Sequence, residues 1–271
     1  RRHGRLPTVL YLHGGGFRIL SKDTHWIMGL LFARRGYLLF NINYRLAPMH
    51  PFPAGLQDAC RAYEWVTRNA HRYGGSLDEE WIVAGESAGA NLATTLTLCS
   101  CHQRREPWAE KVFDTGLVPH AVMAACGILQ TTDPGRFARR KRIPRWVMDR
   151  LEEVSDSYLT GWENPMGSEK SQELELADPL VLLEQGIDLR HPLPPFYAPV
   201  GTWDPLLDDT RRLKRALDAL DVPCLARYFP REVHAFMAFI WRRQARECWR
   251  EAFDFFSWVK SHREEGRRRA S

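Results

Sequence analysis

A serine between two glycines is the first feature of the sequence that could do chemistry. Ser87 lies in the pattern Gly-x-Ser-x-Gly, after a short apolar run and before a helical stretch rich in alanine and leucine. A sharp turn from strand to helix would expose its hydroxyl, and the flanking glycines have no β-carbon to clash with neighbouring backbone. The first N–H of the helix, on Ala88, would favour negative charge at the same point. A glycine-flanked serine could instead serve only as a helix cap, but such a serine rarely lies between an apolar strand and a helix. The segment therefore predicts a nucleophilic serine.

Three consecutive glycines follow the first apolar run of the chain. Gly14, Gly15 and Gly16 come directly after His13, and ordering so much glycine has a high entropic cost. An oxyanion hole needs bare backbone of this kind, because its N–H groups must face a carbonyl oxygen as it becomes charged, and each donor contributes about 3 kcal/mol. We expect the three glycines and Ala88 to supply these donors, with His13 supporting the loop. A phosphate-binding loop is the alternative, but the Lys-Ser/Thr pair that it requires is missing.

A serine at its ordinary pKa is a weak nucleophile, so a base and an acid that orients it are expected downstream. Asp204 and His234 each follow a later apolar run and would lie on loops at the ends of strands. The order Ser, Asp, His is that of α/β-hydrolases. Asp208 and Asp209 compete for the role of acid, but their position favours the start of the next helix, where carboxylates bind free N–H groups. We therefore predict a relay of Ser87, His234 and Asp204.

These loops need a scaffold, and the hydrophobic pattern predicts one. Short apolar runs alternate with longer amphipathic stretches, which is typical of a parallel sheet covered by helices. Strands are predicted at residues 8–13, 37–43, 81–85, 121–126, 196–201 and 224–229. Helices are predicted near 24–35, 55–72, 88–103, 208–220 and 243–262. The fold class is therefore α/β, a mostly parallel doubly wound sheet whose functional residues gather at the carboxyl ends of the strands.

Composition limits the remaining choices. With 271 residues and 44% hydrophobic content, the chain can bury one core, so residues 1–271 are expected to form a single domain. A net charge of +5 is modest for this length and gives no reason to expect nucleic acid. No apolar run reaches the length of a membrane span, and no export signal is visible, so a cytoplasmic protein is expected, although a signal could have been removed. The six scattered cysteines fit reduced core thiols.

Residues 133–177 interrupt the alternation of strand and helix. This irregular, partly helical insertion is the predicted cap or lid over the site. Its basic residues could attract anions, but a solvated helix face is the simpler interpretation. They are Arg136, Arg139, Arg140, Lys141, Arg142, Arg145 and Arg150. An apolar substrate pocket is predicted from bulky residues near the motifs, although such residues are more often core than contact. They are Phe17, Trp26, Trp146, Val147, Met148 and Trp203.

With these residues in place, the chain resembles the hormone-sensitive-lipase family of α/β-hydrolases, the bacterial family IV esterases. Four landmarks match in order across nearly the whole chain. They are His13-Gly-Gly-Gly-Phe17, Tyr44-Arg-Leu-Ala-Pro48 with His50-Pro-Phe-Pro-Ala54, Gly85 to Gly89 with Asn91-Leu92, and Asp204-Pro-Leu206 with His234. The resemblance assigns the catalytic triad to Ser87, Asp204 and His234. It also implies hydrolysis of short- or medium-chain esters without a cofactor or metal.

The resemblance implies a homodimer as well, because many family members pair through the strand equivalent to 224–229. Several features depart from the family pattern. Only twelve residues precede His13, so the chain is expected to be truncated or to have a reduced cap, with a sheet edge that needs cover. Glu86 replaces the usual aspartate, and Ala235 follows the histidine where glycine is common. Neither change removes a catalytic group.

Three alternatives remain at this point. The same triad could serve an amidase or a peptidase. The fold could instead be a non-catalytic small-molecule receptor, as in the plant gibberellin receptors, although these have lost the base and His234 is retained here. A metal-dependent hydrolase could use Cys99, Cys101 and His102, but a fourth ligand is missing and a helix with buried neighbours explains them more simply.

Overall fold

A parallel β-sheet is the centre of the protein, in a computed structural model that describes residues 5–140, 143–162 and 169–270. The strands are β1 (Leu6–Leu12), β2 (Leu38–Ile42), β3 (Gly75–Glu86), β4 (Ala121–Ala125), β5 (Phe196–Gly201) and β6 (Cys224–Phe229). They pair in the order β2-β1-β3-β4-β5-β6, and every pairing is parallel. All six predicted strands are therefore present, and β5 and β6 have the predicted bounds. The main difference is β3, which begins at Gly75 rather than at residue 81.

Helices cover both faces of this sheet. They are α1 (Trp26–Arg34), α2 (Ala54–Asn69), α3 (Ala88–Cys101), α4 (Pro107–Phe113), α5 (Arg136–Arg140), α6 (Arg145–Tyr158), α7 (Glu169–Glu175), α8 (Pro179–Gln185), α9 (Leu207–Ala219) and α10 (Arg243–Ala270), with short 3-10 turns at Ala70–Tyr73 and Phe236–Ala238. Side chains alternate along the strands, so Leu10 and Val83 pack toward α2 and α3 while Val9 and Ile82 pack toward α1 and α10. The predicted α/β fold class is confirmed.

The sheet has a switch point at β1. Its two neighbours are β2, which follows it directly in the chain, and β3, which lies on the opposite side. The loops after β1 and β3 leave the same edge of the sheet and separate there, which creates a crevice at the carboxyl ends of the strands. These are the loops that carry the three glycines and Ser87.

The insertion at residues 133–177 contains α5, α6 and α7; its residues 141–142 and 163–168 lie outside the described part of the chain. Among its basic residues, Arg139, Arg145 and Arg150 are exposed, as the solvated face predicts, and Arg136 is an exception. Arg136 is buried and forms a two-point ion pair with the buried Asp209 at the start of α9, with Nη2–Oδ2 and Nε–Oδ1 distances of 2.6 and 3.1 Å. Lys141 and Arg142 fall outside the described residues. A buried pair of this geometry fixes α5 to the body of the protein.

Membrane insertion was not expected from the sequence. Among the described residues, no helix combines the length and the apolar character needed to cross a bilayer.

Replacing Gly89 by alanine tests the close packing at the switch point. A β-carbon there would collide with the carbonyl groups of Leu12 and His13, so we expect Gly89→Ala to lower the free energy of unfolding by more than about 2 kcal/mol. Gly266→Ala is the matched control, because a β-carbon added on this helical, exposed residue has no heavy atom within 4 Å beyond its own helix backbone. Urea unfolding measures both; equal stability of the two variants would contradict the packing described here.

Candidate active site

Three loops bring a hydroxyl, an imidazole and a carboxylate into one hydrogen-bonded row. Nε2 of His234 lies 3.0 Å from Oγ of Ser87, and Nδ1 of His234 lies 2.9 Å from Oδ2 of Asp204. Asp204 is buried, and its Oδ1 accepts a hydrogen bond of 2.8 Å from the N–H of Leu206. The bond to Leu206 therefore orients the Asp204 carboxylate on the side away from the imidazole. In contrast, 36% of the His234 side chain is exposed to solvent. The three residues singled out in the sequence are those that the structure brings together.

Ser87 occupies the strained turn that its glycine neighbours predicted. Its backbone has φ 56° and ψ −118°, a left-handed conformation that is unfavourable for serine. The Ser87 N–H donates 2.9 Å to Ala125 O at the end of β4, and the Ser87 carbonyl accepts from Ile128 N–H at 3.3 Å. A β-carbon on Gly85 would collide with the carbonyl of Gly89. The turn is fixed from both sides, and α3 begins at Ala88, immediately beyond the hydroxyl.

The glycine loop differs from the prediction at its first residue. The N–H of Gly14 donates 2.6 Å to Oε1 of Glu86, so it is occupied by a carboxylate and does not face the crevice as an oxyanion donor. Within the described residues, the N–H groups of Gly15 and Gly16 have no hydrogen-bond acceptor. Ala88 is the first residue of α3, where N–H groups have no partner within the helix. Among the predicted donors, the N–H groups of Gly15, Gly16 and Ala88 thus remain free for a substrate oxygen, whereas that of Gly14 is occupied.

A buried network around Glu86 holds this loop, and the sequence analysis missed its other members. Besides Gly14, the carboxylate accepts from Tyr11 Oη and lies 2.6 Å from Nε2 of His25. Burial lowers the pKa of His25, but the hydrogen bond and the charge of Glu86 raise it more, and the net pKa lies above its ordinary value. Burial, reinforced by the charge of Glu86, raises the pKa of Tyr11 well above its ordinary value, so Tyr11 remains a donor. The only sign of this network in the sequence is Glu86 itself, which stands where aspartate is usual.

His13 is a supporting residue, as expected. Its Nδ1 lies 2.7 Å from Gly14 O, and its ring stacks on Tyr44 with 4.4 Å between centroids. Tyr44 in turn donates 2.7 Å from its hydroxyl to His13 O. Burial lowers the pKa of His13, which keeps the ring neutral beside the loop. The second landmark of the sequence, which starts at Tyr44, therefore acts by fixing the glycine loop.

The predicted pocket residues divide into two groups. Phe17 is buried and stacks on Tyr158 of α6 at 3.7 Å, and Met148 is also buried, so both belong to the core rather than to a pocket surface. Val147 packs partly against that core. In contrast, Trp26, Trp146 and Trp203 are 62, 74 and 62% exposed.

A residue that was not predicted, Val154, lies directly over the glycine loop. A β-carbon on Gly16 would lie 2.7 Å from its Cγ2 atom. Next to it on α6, Glu153 forms an ion pair of 2.6 Å with Arg18. Helix α6 of the insertion therefore covers the loop that carries the donors.

The rival residues have other contacts. Asp209 is bound to Arg136, and Asp208 pairs with Arg211 at 3.1 Å. His102 contacts Asp188 O through Nδ1. In the described ranges, no cluster with metal-ligand spacing includes Cys99, Cys101 or His102.

The comparisons with known proteins agree with this geometry. A family model described as the alpha/beta hydrolase fold matches residues 9–238, so the chain belongs to this family. Carboxylesterase NlhH of Mycobacterium tuberculosis is 30% identical over 235 residues, which are 86% of this chain and 67% of that protein. The acetyl esterase of Salmonella dublin is 30% identical over 236 residues, 85% of this chain and 65% of that protein. The chain spans about two thirds of the length of these relatives.

Solved structures give the same result. The hyperthermophilic esterase from the archaeon Pyrobaculum calidifontis has a TM-score of 0.75 and 25% identity, covering 97% of this chain and 79% of its own. Esterase B from Lactobacillus rhamnosis has a TM-score of 0.76 over 99% of this chain and 80% of its own; at 20% identity it is similar in fold. The resemblance to the family of bacterial esterases is confirmed, and these relatives support the predicted class of carboxylic-ester hydrolase.

The relay predicts a particular pH profile. Burial lowers the pKa of His234, but the charge of Asp204, with the contributions of Cys126, raises it more, so its pKa lies well above its ordinary value. A general base must be neutral, so we expect kcat/KM for an ester to fall as the pH drops through a midpoint above the ordinary histidine value of about 6.5. Asp204→Asn should move this midpoint down. A pH–rate profile measures both, and a midpoint that Asp204→Asn leaves unchanged would contradict the role of the carboxylate.

Glu86→Gln tests the network that holds the glycine loop. Glutamine has an amide NH2 group where glutamate has its second oxygen. This NH2 group would face a buried hydrogen-bond donor, so one of the two would lack an acceptor. We therefore expect a loss of about 1–3 kcal/mol in the free energy of unfolding and a lower kcat/KM. Glu79→Gln, on the same strand but exposed and paired only with Lys260, should cost no more than about 1 kcal/mol. Urea unfolding and ester kinetics on both variants compare them; equal effects would disprove the positioning role of Glu86.

Proposed function

We propose that the chain is a serine carboxylesterase that hydrolyses short- to medium-chain esters through an acyl-enzyme, with Ser87 as nucleophile, His234 as base and Asp204 as orienting acid. The observation that carries the proposal is the continuous hydrogen-bonded row from Ser87 Oγ through both ring nitrogens of His234 to Asp204. The groups lie at the distances that general-base activation of a hydroxyl requires.

The first half of the reaction follows from these contacts. Nε2 of His234 accepts the proton of the Ser87 hydroxyl as Oγ attacks the ester carbonyl carbon. The carbonyl oxygen becomes negative and is stabilised by the N–H groups of Gly15, Gly16 and Ala88. Asp204 stabilises the imidazolium while Nε2 returns the proton to the leaving alcohol. An acyl group then remains bound to Ser87.

Water completes the cycle by the same steps. His234 removes a proton from water, the resulting hydroxide attacks the acyl carbon, and the same donors hold the second oxyanion. His234 then protonates Oγ of Ser87, which releases the acid. No step in this sequence needs a cofactor, so the residues already named are sufficient.

We propose that residues 133–177 act as the cap within a single hydrolase domain at 1–271. The contacts that support this are those of α6 with the glycine loop, through Val154 over Gly16 and Tyr158 against Phe17. Because α6 lies beside the predicted oxyanion donors, it would form one wall for the substrate.

We also propose a homodimer and a cytoplasmic location. Pairing through 224–229 is supported by the position of β6 at the end of the sheet, where Leu225 and Tyr228 are exposed. A second β6 could bind there and continue the sheet into a partner.

A cytoplasmic location is supported by six cysteines that are all free thiols in the structure.

Ser87→Ala is the direct test of the reaction. It should lower kcat for p-nitrophenyl acetate and butyrate at least about ten-thousand-fold, because the attacking group is gone while the fold is kept. Ser257→Ala is the matched control, since the hydroxyl of this exposed serine on α10 bonds only the carbonyl of Phe253. Unchanged turnover in Ser87→Ala would overturn the proposal. Faster hydrolysis of matched anilides than of the esters would instead favour the amidase alternative.

A further inference from the structure

Cys126 lies beside the catalytic row although the reaction does not use it. It directly follows β4, is fully buried and has a left-handed φ of 39°. Its N–H donates 2.9 Å to Pro199 O on β5, and the carbonyl of the preceding Ala125 accepts the N–H of Ser87. The backbone of Cys126 is therefore held on both sides.

The thiol is part of a compact set of metal-binding groups. The sulfur of Cys126, a carboxylate oxygen of Asp204 and a ring nitrogen of His234 all lie within 4.8 Å of one another. Sulfur, imidazole nitrogen and carboxylate oxygen are the donors that Zn²⁺ takes in proteins. We propose that Cys126, Asp204 and His234 form a zinc site, and that Zn²⁺ bound there inhibits the enzyme reversibly; the inhibition rests on the function proposed above.

The geometry needs little change to accept the ion. Ligand atoms around a tetrahedral Zn²⁺ lie about 3.3–3.6 Å apart, as follows from bonds of about 2.0–2.3 Å. Oδ2 of Asp204 and Nδ1 of His234 are 2.9 Å apart and would separate slightly, while the sulfur would approach them. Oδ1 of Asp204 keeps its bond to Leu206 N–H, so the ligating carboxylate stays oriented. Water would take the fourth position of the tetrahedron.

Nδ1 is the ring nitrogen that we assign to the metal, because it lies next to the carboxylate of Asp204, another proposed ligand, whereas Nε2 contacts Ser87. When Zn²⁺ binds, Cys126 gives its proton to solvent, and the proton of Nδ1 moves to Nε2. The imidazole then carries a hydrogen toward Ser87 and has no lone pair there. It can no longer accept the proton of the hydroxyl, and Asp204 is bound to the metal instead of the ring. Loss of the base therefore follows directly from the coordination.

The binding test uses Co²⁺ as a spectroscopic probe on a protein that does not need to be active. Ser87→Ala combined with Cys224→Ser removes the nucleophile and the partly exposed thiol on β6 but retains the three ligands. Addition of Co²⁺ should produce a near-ultraviolet absorption band of thiolate-to-metal charge transfer, and Cys126→Ser added to this protein should abolish the band. Absence of the band before Cys126 is changed, or its persistence afterwards, would overturn the zinc site whatever the esterase result.

The inhibition test uses Zn²⁺ with p-nitrophenyl acetate. The unaltered protein and Cys224→Ser should lose activity at the same zinc concentration and recover it with EDTA. Cys126→Ser should need at least about tenfold more zinc for the same fractional inhibition. Its activity is measured relative to its own metal-free rate, and thermal unfolding checks that it is folded. Equal sensitivity of Cys126→Ser and Cys224→Ser would reject inhibition through this site. A protein that gives the cobalt band but hydrolyses no ester would keep the metal site and reject only the proposed function.

Discussion

The carboxylate of Glu86 joins the two loops on which the site depends. One loop follows β1 and carries the glycines, and the other follows β3 and carries Ser87; Glu86 is the last residue of β3 and binds Gly14 N–H. Because the bond is buried, losing it would leave the N–H of Gly14 without an acceptor and cost about 1–3 kcal/mol. His25 and Tyr11 complete the set of donors around the carboxylate. Glu86 thus fixes the distance between Ser87, which follows it in the chain, and the glycine loop.

The relay depends on a different kind of support. Asp204 and His234 come from loops after β5 and β6, which are paired in register along their whole length. Trp203 N–H donates 3.0 Å to Glu232 O, so the two loops are also bonded directly. Parallel strands end at one edge of the sheet, and residues far apart in the chain therefore meet with little flexible backbone between them. Rigid elements of this kind keep a general base within reach of its hydroxyl.

Much of this could be predicted because the relevant signals are local. Glycine pattern, apolar run and chain order were enough to place Ser87, Asp204 and His234, and the strand predictions at 196–201 and 224–229 match β5 and β6. The partner of Gly14 could not be found in this way, because it lies 72 positions away along the chain. For the same reason Phe17 looked like a pocket residue, although its stacking partner Tyr158 places it in the core. Arg136 looked like one of several surface charges until Asp209 was brought next to it.

Helix α6 rests on the same backbone that carries the predicted oxyanion donors. Val154 touches the position where Gly16 has no side chain, and the Glu153–Arg18 ion pair and the Phe17–Tyr158 stack anchor the helix on either side. A larger side chain at 154 would enlarge the wall over a substrate and press on the donor loop at the same time. In the proposed esterase, selectivity for acyl size and catalytic rate would therefore be linked at this helix, and adaptation to new substrates would proceed more freely through the exposed tryptophans at 26, 146 and 203.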